Sequence, residues 1–128
     1  MHIDNGRRAN QVSGLIIGRA YAVLNTLGAG FLEKVYENAL AYELRAAGAS
    51  VHQQYAIEIR YAGVVVGSYS ADLLVENLVL VELKATKALD PIHEAQCINY
   101  LKATKLPLCL LLNFGTPRLE IKRLIGDS

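Results

Sequence analysis

The chain has 128 residues, of which 52% are hydrophobic and 20% charged, a composition that predicts one globular domain over residues 1–128 and excludes a disordered chain. No apolar run is long enough to span a membrane, and the N-terminal residues lack the apolar stretch of a signal peptide, so we expect a cytoplasmic protein that does not enter a membrane. The net charge of +1 argues mildly against a protein that binds nucleic acid mainly by bulk electrostatics.

Two amphipathic helices are predicted at the start of the chain, after a flexible N-terminus at residues 1–11. Residues 11–27 carry apolar side chains at helical spacing, and Gly28 is expected to end that helix. The second helix is expected to end at Gly48. Its apolar stripe consists of Leu32, Val35, Tyr36, Ala39, Leu40 and Leu44.

The pattern then changes to the period-2 alternation of strands. Residues 51–61 predict a half-buried antiparallel strand, and residues 64–75 a second strand with a bulge near Gly67. In the first of these strands, one face is predicted to hold Val51, Gln53, Tyr55, Ile57, Ile59 and Tyr61.

A third strand at residues 78–85 precedes a helix that starts at Asp90-Pro91 and runs to about residue 104. The apolar run 106–114 predicts a central strand, and 118–125 a last one. The order ααβββαββ predicts an α/β (α+β) fold with a mixed central sheet flanked by helices. Cys97 and Cys109 are too few for a disulfide framework and are expected in the core.

The third strand contains two charges at positions where apolar residues are expected. Glu82 and Lys84 lie two residues apart and so share a face, in a strand that is apolar on both faces. Glu-x-Lys is also a common solvated pair at a strand end. A carboxylate inside a sheet is costly, however, and proteins keep such groups mostly at functional sites.

Asp72 is a second carboxylate, on the strand just before that of Glu82. A two-residue loop at 76–77 would place the two carboxylates on opposite faces, whereas a three-residue loop at 76–78 places Asp72 opposite Glu82, with Cβ atoms about 4.5–5.5 Å apart. We predict the three-residue loop or an equivalent bulge.

Two carboxylates at that separation repel each other unless a cation lies between them. An oxygen ligand set with room for waters suits Mg²⁺ or Mn²⁺, and the Leu83 backbone carbonyl is a further candidate ligand. Lys84 is placed to hold a water or to neutralise charge that develops on a phosphate. This combination predicts hydrolysis of a phosphodiester bond.

Two helical stripes carry further polar groups. Glu33 and Tyr36 share a face of the second helix. His93, Gln96 and Tyr100 form one stripe of the third, and a metal site or a phosphate could supply hydrogen-bond partners to such a Gln and Tyr. Taken singly, the tyrosines are more simply explained as core aromatics, and His93 as a helix-terminus side chain.

The segment Gly30-Phe31-Leu32-Glu33-Lys34-Val35-Tyr36 resembles the motif that names the GxxExxY proteins, small bacterial and archaeal members of the PD-(D/E)XK nuclease superfamily. The resemblance extends from about Leu15 to Leu124. The motifs "GAGFLEKVYENALAYEL", "ADLLVEN", "LVELKA", "HEAQCINYLK" and "LLLNFG" occur in the expected order.

The resemblance implies a restriction-endonuclease-like αβββαβ core and Mg²⁺-dependent hydrolysis of nucleic acid, usually DNA. It implies that Glu33, Asp72 and Glu82 are the metal carboxylates. Lys84 would complete the E-x-K pattern, and Gln96 and Tyr100 would form the Q-x-x-x-Y of the following helix. The Pro that often precedes the Asp is absent, because Ala71 occupies that position.

Two alternatives remain open at this stage. The chain could be a catalytically inactive binding module for nucleic acid or protein, with Lys84 paired to Glu82, or a nuclease for a small or modified nucleotide. A homodimer is one option for the assembly, through the first helix or the last strand. Candidate phosphate contacts, none assigned individually, are Arg7, Arg8, Arg19, Lys102, Lys105, Lys122 and Arg123.

Overall fold

The computed structural model describes residues 2–127 and contains three helices and five strands within them. In chain order the elements are α1 (His2–Leu27), α2 (Glu33–Ala46), β1 (Val51–Tyr61), β2 (Val64–Val75), β3 (Val79–Lys84), α3 (Pro91–Thr104), β4 (Leu108–Asn113) and β5 (Glu120–Ile125). The predicted order ααβββαββ is confirmed. None of the helices in this part of the chain is both long and apolar enough to cross a bilayer.

The first helix starts earlier than its apolar periodicity indicates, inside the segment 1–11 that we expected to be flexible. Ala9 and Val12 are buried, and the Arg123 side chain bonds the Asn10 side chain at 2.6 Å and the Ser13 hydroxyl at 2.7 Å. These contacts to the last strand stabilise the early turns of α1. The spacing of apolar residues alone does not reveal such contacts. Met1 lies outside the described residues.

The sheet has the strand order β1-β2-β3-β4-β5 and is mixed. The first three strands pair antiparallel, β3 and β4 pair parallel, and β4 and β5 pair antiparallel. Helix α3 makes the crossover that the parallel pair requires. The β1–β2 register shifts next to Gly67, where a bulge was predicted.

Helices cover both faces of the sheet and create two cores. Helices α1 and α2 pack on one face, and the core between them and the sheet includes Ile16, Leu40, Val81 and Leu110. Helix α3 packs on the other face, over a smaller core that includes both cysteines. The mixed α+β fold with a five-stranded sheet flanked by helices is therefore confirmed.

Strand β1 does not keep one face along its length, so the predicted face is wrong. Val51 packs against the α1–α2 core, whereas Tyr55, Ile57 and Ile59 pack against the α3 core. The change occurs at Gln54, whose φ of 54° lies in the left-handed region and breaks the period-2 alternation. The polar face of β1 near Gln54 thereby turns toward α2.

Candidate active site

The loop between β2 and β3 sets the register of the two acidic residues. Val75 pairs with Val79, which leaves residues 76–78 as a three-residue loop, as predicted. Glu76 and Asn77 both have a φ of 55°. Because Leu73 pairs with Val81, the next position along each strand sets Asp72 opposite Glu82.

Asp72 and Glu82 are tied together through backbone groups. The Asp72 N–H donates to Glu82 Oε1 at 3.0 Å, and the Leu83 N–H donates to Asp72 Oδ2 at 2.8 Å. Each carboxylate thus accepts a backbone N–H from the opposite strand. The two side chains are held in defined positions where β2 and β3 part.

The acidic pair lies in an environment that disfavours its negative charge. Glu82 is only 5% exposed. Its pKa is raised to about 8, mainly because the side chain is buried and secondly because the Asp72 carboxylate lies nearby. Burial also raises the pKa of Asp72. The hydrogen bonds from Leu83 and Gln54 lower this pKa, but they do not cancel the effect of burial. The ion pairs of the described residues do not join Lys84 to Glu82, so the alternative of a simple salt bridge is not what the structure shows.

The segment Gly30–Tyr36 is held by its own tyrosine. The Tyr36 hydroxyl donates to the Gly28 carbonyl at 2.5 Å and accepts from the Phe31 N–H at 3.1 Å. Its fully buried ring stacks on Phe114, with ring centroids 4.9 Å apart. Gly30 has a φ of 118°, which a residue with a Cβ rarely adopts.

This anchored loop places Glu33 at the first turn of α2, beside the acidic pair. Glu33, Lys34, Glu37, Gln54 and Asp72 line one cavity of about 560 Å³ on the α2 side. The Glu33 charge also contributes to the raised pKa values of both Asp72 and Glu82. Leu32 is 80% exposed and Val35 partly so, hence these two members of the predicted apolar stripe do not belong to the core.

Removing the Tyr36 hydroxyl should loosen this loop at a measurable cost in stability. Tyr36→Phe keeps the buried ring but leaves the Phe31 N–H and the Gly28 carbonyl without that partner, so we expect a loss of about 1–3 kcal/mol. Urea denaturation measures this loss. Tyr42→Phe is the control, because Tyr42 is 70% exposed and its change should stay within about 0.5 kcal/mol. Equal stability of the two variants would contradict the anchoring role.

Sequence reasoning missed a polar network that supports Asp72. The Gln54 side-chain amide lies 2.8 Å from Glu37 Oε1 and 3.2 Å from Asp72 Oδ1. Glu37 is only 3% exposed and also contacts Gln53 at 2.8 Å and Lys34 at 3.0 Å. The position of Glu37 one turn beyond Glu33 was a usable signal. The left-handed conformation of Gln54, which aims it at Asp72, was not readable from an alternating strand pattern.

The polar stripe of α3 lies on the other side of the sheet from that cavity. Gln96 and Tyr100 line a groove between α3 and the β1–β2 hairpin, and among residues 5–127 no hydrogen bond joins either side chain to Asp72 or Glu82. Burial, then the Glu82 charge, raises the pKa of Tyr100 to about 12, so Tyr100 is within electrostatic reach of the acidic pair. His93 is a helix-terminus residue, because its Nδ1 accepts from the Asp90 N–H at 3.1 Å.

Of the remaining predicted site residues, Leu83 contacts the acidic pair through its N–H, and Lys84 is the partly buried last residue of β3. Several predicted phosphate-contacting cations have protein partners instead. Arg8 pairs with Glu76 at 3.2 Å, and Arg19 with Glu43 at 3.7 Å. These are exposed pairs of small energetic value.

The donor set fits a hard divalent cation held by few protein ligands. Within the described residues, no three His, Cys, Asp or Glu side chains form a cluster that would hold a metal alone. Mg²⁺ usually binds one or two carboxylates and completes its shell with waters and substrate phosphates. Asp72 and Glu82 meet this requirement as two opposed carboxylates, and burial raises the pKa of both.

The protein is an α/β protein in which a mixed sheet with helices on both faces carries two opposed carboxylates where β2 and β3 part. The family model of the PD-(D/E)XK nuclease superfamily matches residues 10–124, and the chain belongs to this superfamily. Members of the superfamily generally use divalent metal ions. Among curated proteins, no significant relative of the chain is found.

Two solved structures resemble the fold. An alkaline exonuclease (LHK-Exo) from Laribacter hongkongensis has 18% identity and a TM-score of 0.54, over 73% of this chain and 56% of the exonuclease. SSO0001 has 17% identity and a TM-score of 0.57, over 98% of this chain and 62% of the SSO0001 chain. This chain therefore spans less than two thirds of either neighbour, and at these identities the likeness shows the fold alone.

Proposed function

We propose that this protein hydrolyses phosphodiester bonds in nucleic acid, with DNA as the first candidate, and depends on Mg²⁺ or Mn²⁺. The observation that carries the proposal is the three-residue loop that sets Asp72 opposite Glu82, with a backbone hydrogen bond to each carboxylate. Membership of the PD-(D/E)XK nuclease superfamily supports it. The similarity of the fold to that of an exonuclease is consistent with it.

Asp72 and Glu82 would hold the cation, with Glu33 as an added carboxylate and the Leu83 carbonyl as a candidate ligand. When bound, a divalent cation neutralises phosphate charge and lowers the pKa of a water. A bound cation would offset the cost that burial and the Asp72 charge place on ionised Glu82, because each carboxylate would then ionise beside a positive charge.

We assign roles in the proposed reaction to the other polar side chains near the acidic pair and in the groove beside α3. Lys84 follows Glu82 by two residues and would hold a water or stabilise charge that develops on the phosphate. Gln54 and Glu37 are positioning residues, since they orient Asp72 through hydrogen bonds of 3.2 Å and 2.8 Å. Gln96 and Tyr100, which line the groove beside α3, would position the nucleophile, the metal shell or the scissile strand.

We also propose that the protein is one of the GxxExxY proteins, and the loop before α2 supports this. There Gly30 makes a turn with positive φ, Glu33 lines the cavity that Asp72 also lines, and Tyr36 anchors the loop. We propose a single-domain cytoplasmic protein. Strand β5 lies at an edge of the sheet and is the candidate surface for a homodimer.

Calorimetric titration of Mg²⁺ and Mn²⁺ into the metal-free protein tests the proposal. We expect binding by the wild type and none by Glu82→Gln, followed by cation-dependent cleavage of an oligonucleotide that EDTA abolishes. The titration should reach about 10 mM, above the dissociation constants of about 1 mM that weak cation sites show. Absence of binding by the folded wild type, with and without a short duplex, would instead identify an inactive binding module.

A further inference from the structure

A groove on the α3 side of the sheet is lined by more aromatic and polar side chains than the proposed catalytic roles use. It runs between the β1–β2 hairpin and α3 and encloses about 770 Å³, which is the size of a pocket that holds a small organic ligand. Six of its lining residues carry the argument: Arg60, Tyr69, Gln96, Asn99, Tyr100 and Lys102.

The two tyrosines give the groove an accessible aromatic surface. Tyr69 is 53% exposed, although aromatic residues are usually well buried, and its ring centroid lies 5.9 Å from that of Tyr100. Tyr100 is only 3% exposed. Tyr100 therefore supports the Tyr69 ring from the protein side, and much of Tyr69 remains open to a planar ligand.

The polar lining suits a base and a phosphate. The amides of Gln96 and Asn99 each offer a donor and an acceptor, as the edge of a nucleobase requires. Lys102 and Arg60 supply positive charge, and Arg60 forms an exposed ion pair with Glu58 at 2.8 Å, the groove's one acidic side chain. The groove thus has a net positive charge next to a site of negative charge.

We propose that this groove binds an unpaired nucleic-acid strand, with a base on Tyr69 and the backbone near Arg60 and Lys102. The inference rests on the proposed function and names its substrate class. Aromatic side chains and cations together form the usual single-strand site, whereas a paired base cannot present its face to a tyrosine without leaving the stack. The net charge of +1 for the whole chain also fits a short strand better than a long duplex track.

The groove and the Glu82 position lie on the same face of the sheet. Glu82 follows Leu80 by two residues on β3, and Leu80 packs in the α3 core together with Tyr100 and Cys97. Tyr100 itself lines the groove. Tyr100 thus joins the groove to the packing around Leu80, on the face of β3 that Glu82 shares.

The test is fluorescence anisotropy in EDTA, so that binding is measured without cleavage. The probes are a labelled DNA strand of about 12 nucleotides, within the 4–16 that single-strand folds cover, an RNA strand of that sequence, and the matching DNA duplex. We expect at least one of the single strands to bind about tenfold more tightly than the duplex. The two single-strand arms decide between DNA and RNA.

Substitutions locate the binding. Tyr69→Ala should weaken single-strand binding about 5- to 150-fold, the range for loss of one base–aromatic stack, and Tyr69→Phe should restore it. Lys102→Ala should weaken binding and reduce its salt dependence by about one phosphate contact. Tyr42→Ala is the matched control, because Tyr42 is an exposed tyrosine on α2, away from the groove, and its loss should change nothing.

Duplex binding as tight as strand binding, unchanged binding by folded Tyr69→Ala, or no binding to any probe would each overturn the inference. The outcome is separable from that of the proposed function. If strand binding depends on Tyr69 but no cleavage follows when Mg²⁺ or Mn²⁺ is added, the proposed nuclease activity is wrong and the strand-binding groove stands. If the protein cleaves nucleic acid and Tyr69→Ala leaves that cleavage unchanged, the groove is wrong and the nuclease activity stands.

Discussion

Glu82→Gln is expected to lower kcat for phosphodiester cleavage by on the order of 10²–10⁴-fold, the range for loss of one electrostatic or acid/base group. The amide keeps the size of the side chain and can still accept the Asp72 N–H at 3.0 Å. It cannot carry the negative charge that a cation requires. Asp72→Asn should have an effect of the same order, because Asp72 is the opposing carboxylate.

The control for both variants is Glu43→Gln, which removes a carboxylate that pairs with Arg19 on α1. Cleavage of a labelled oligonucleotide under saturating Mg²⁺ gives kcat, and binding in EDTA gives the affinity. Affinity should be unchanged or improved in the site variants, since negative charge near the phosphates is removed. A Glu82→Gln protein that cleaves at the wild-type rate would remove Glu82 from the mechanism.

The metal-free protein should lose stability as pH rises from about 4.5 to about 8. Burial and the Asp72 charge raise the pKa of Glu82 from 4.5 to about 8 in the folded protein. Between these values the folded state holds a proton that the unfolded state has released, so the free energy of unfolding falls as pH increases. Each unit of pKa shift corresponds to about 1.4 kcal/mol, and the whole effect is a few kcal/mol.

Thermal or urea unfolding between pH 4.5 and 9 measures this dependence. Glu82→Gln cannot titrate, so it should be more stable than the wild type at pH 8 to 9, and the advantage should shrink toward pH 5. Glu43→Gln should follow the wild-type curve. Excess Mg²⁺ at pH 8 should stabilise only proteins that retain Glu82, because a ligand of the folded state adds to its stability. Parallel curves for the wild type and Glu82→Gln would show that Glu82 titrates normally.

Local patterning was enough to predict the order of the elements and a mixed sheet flanked by helices. Apolar residues at helical spacing placed α2 and most of α1, and the alternation in 51–61 and 64–75 placed β1 and β2 with their bounds. The apolar run before Phe114 correctly predicted a central strand, because a strand buried on both faces needs apolar residues on both. Loop length was decisive for Asp72 and Glu82, since one residue of register decides whether they meet.

By itself the sequence determined the fold class and the element order, because periodicity is a local property. It allowed two lengths for the loop before β3, and the register of β2 and β3 decided for the three-residue loop that sets Asp72 opposite Glu82. Tertiary structure alone decided that Gln54 leaves the strand pattern to reach Glu37 and Asp72. It also decided that the hairpin and α3 enclose a groove around Tyr69. Such contacts depend on backbone conformations and on packing between elements distant in the chain. Residue spacing within one element therefore does not predict them.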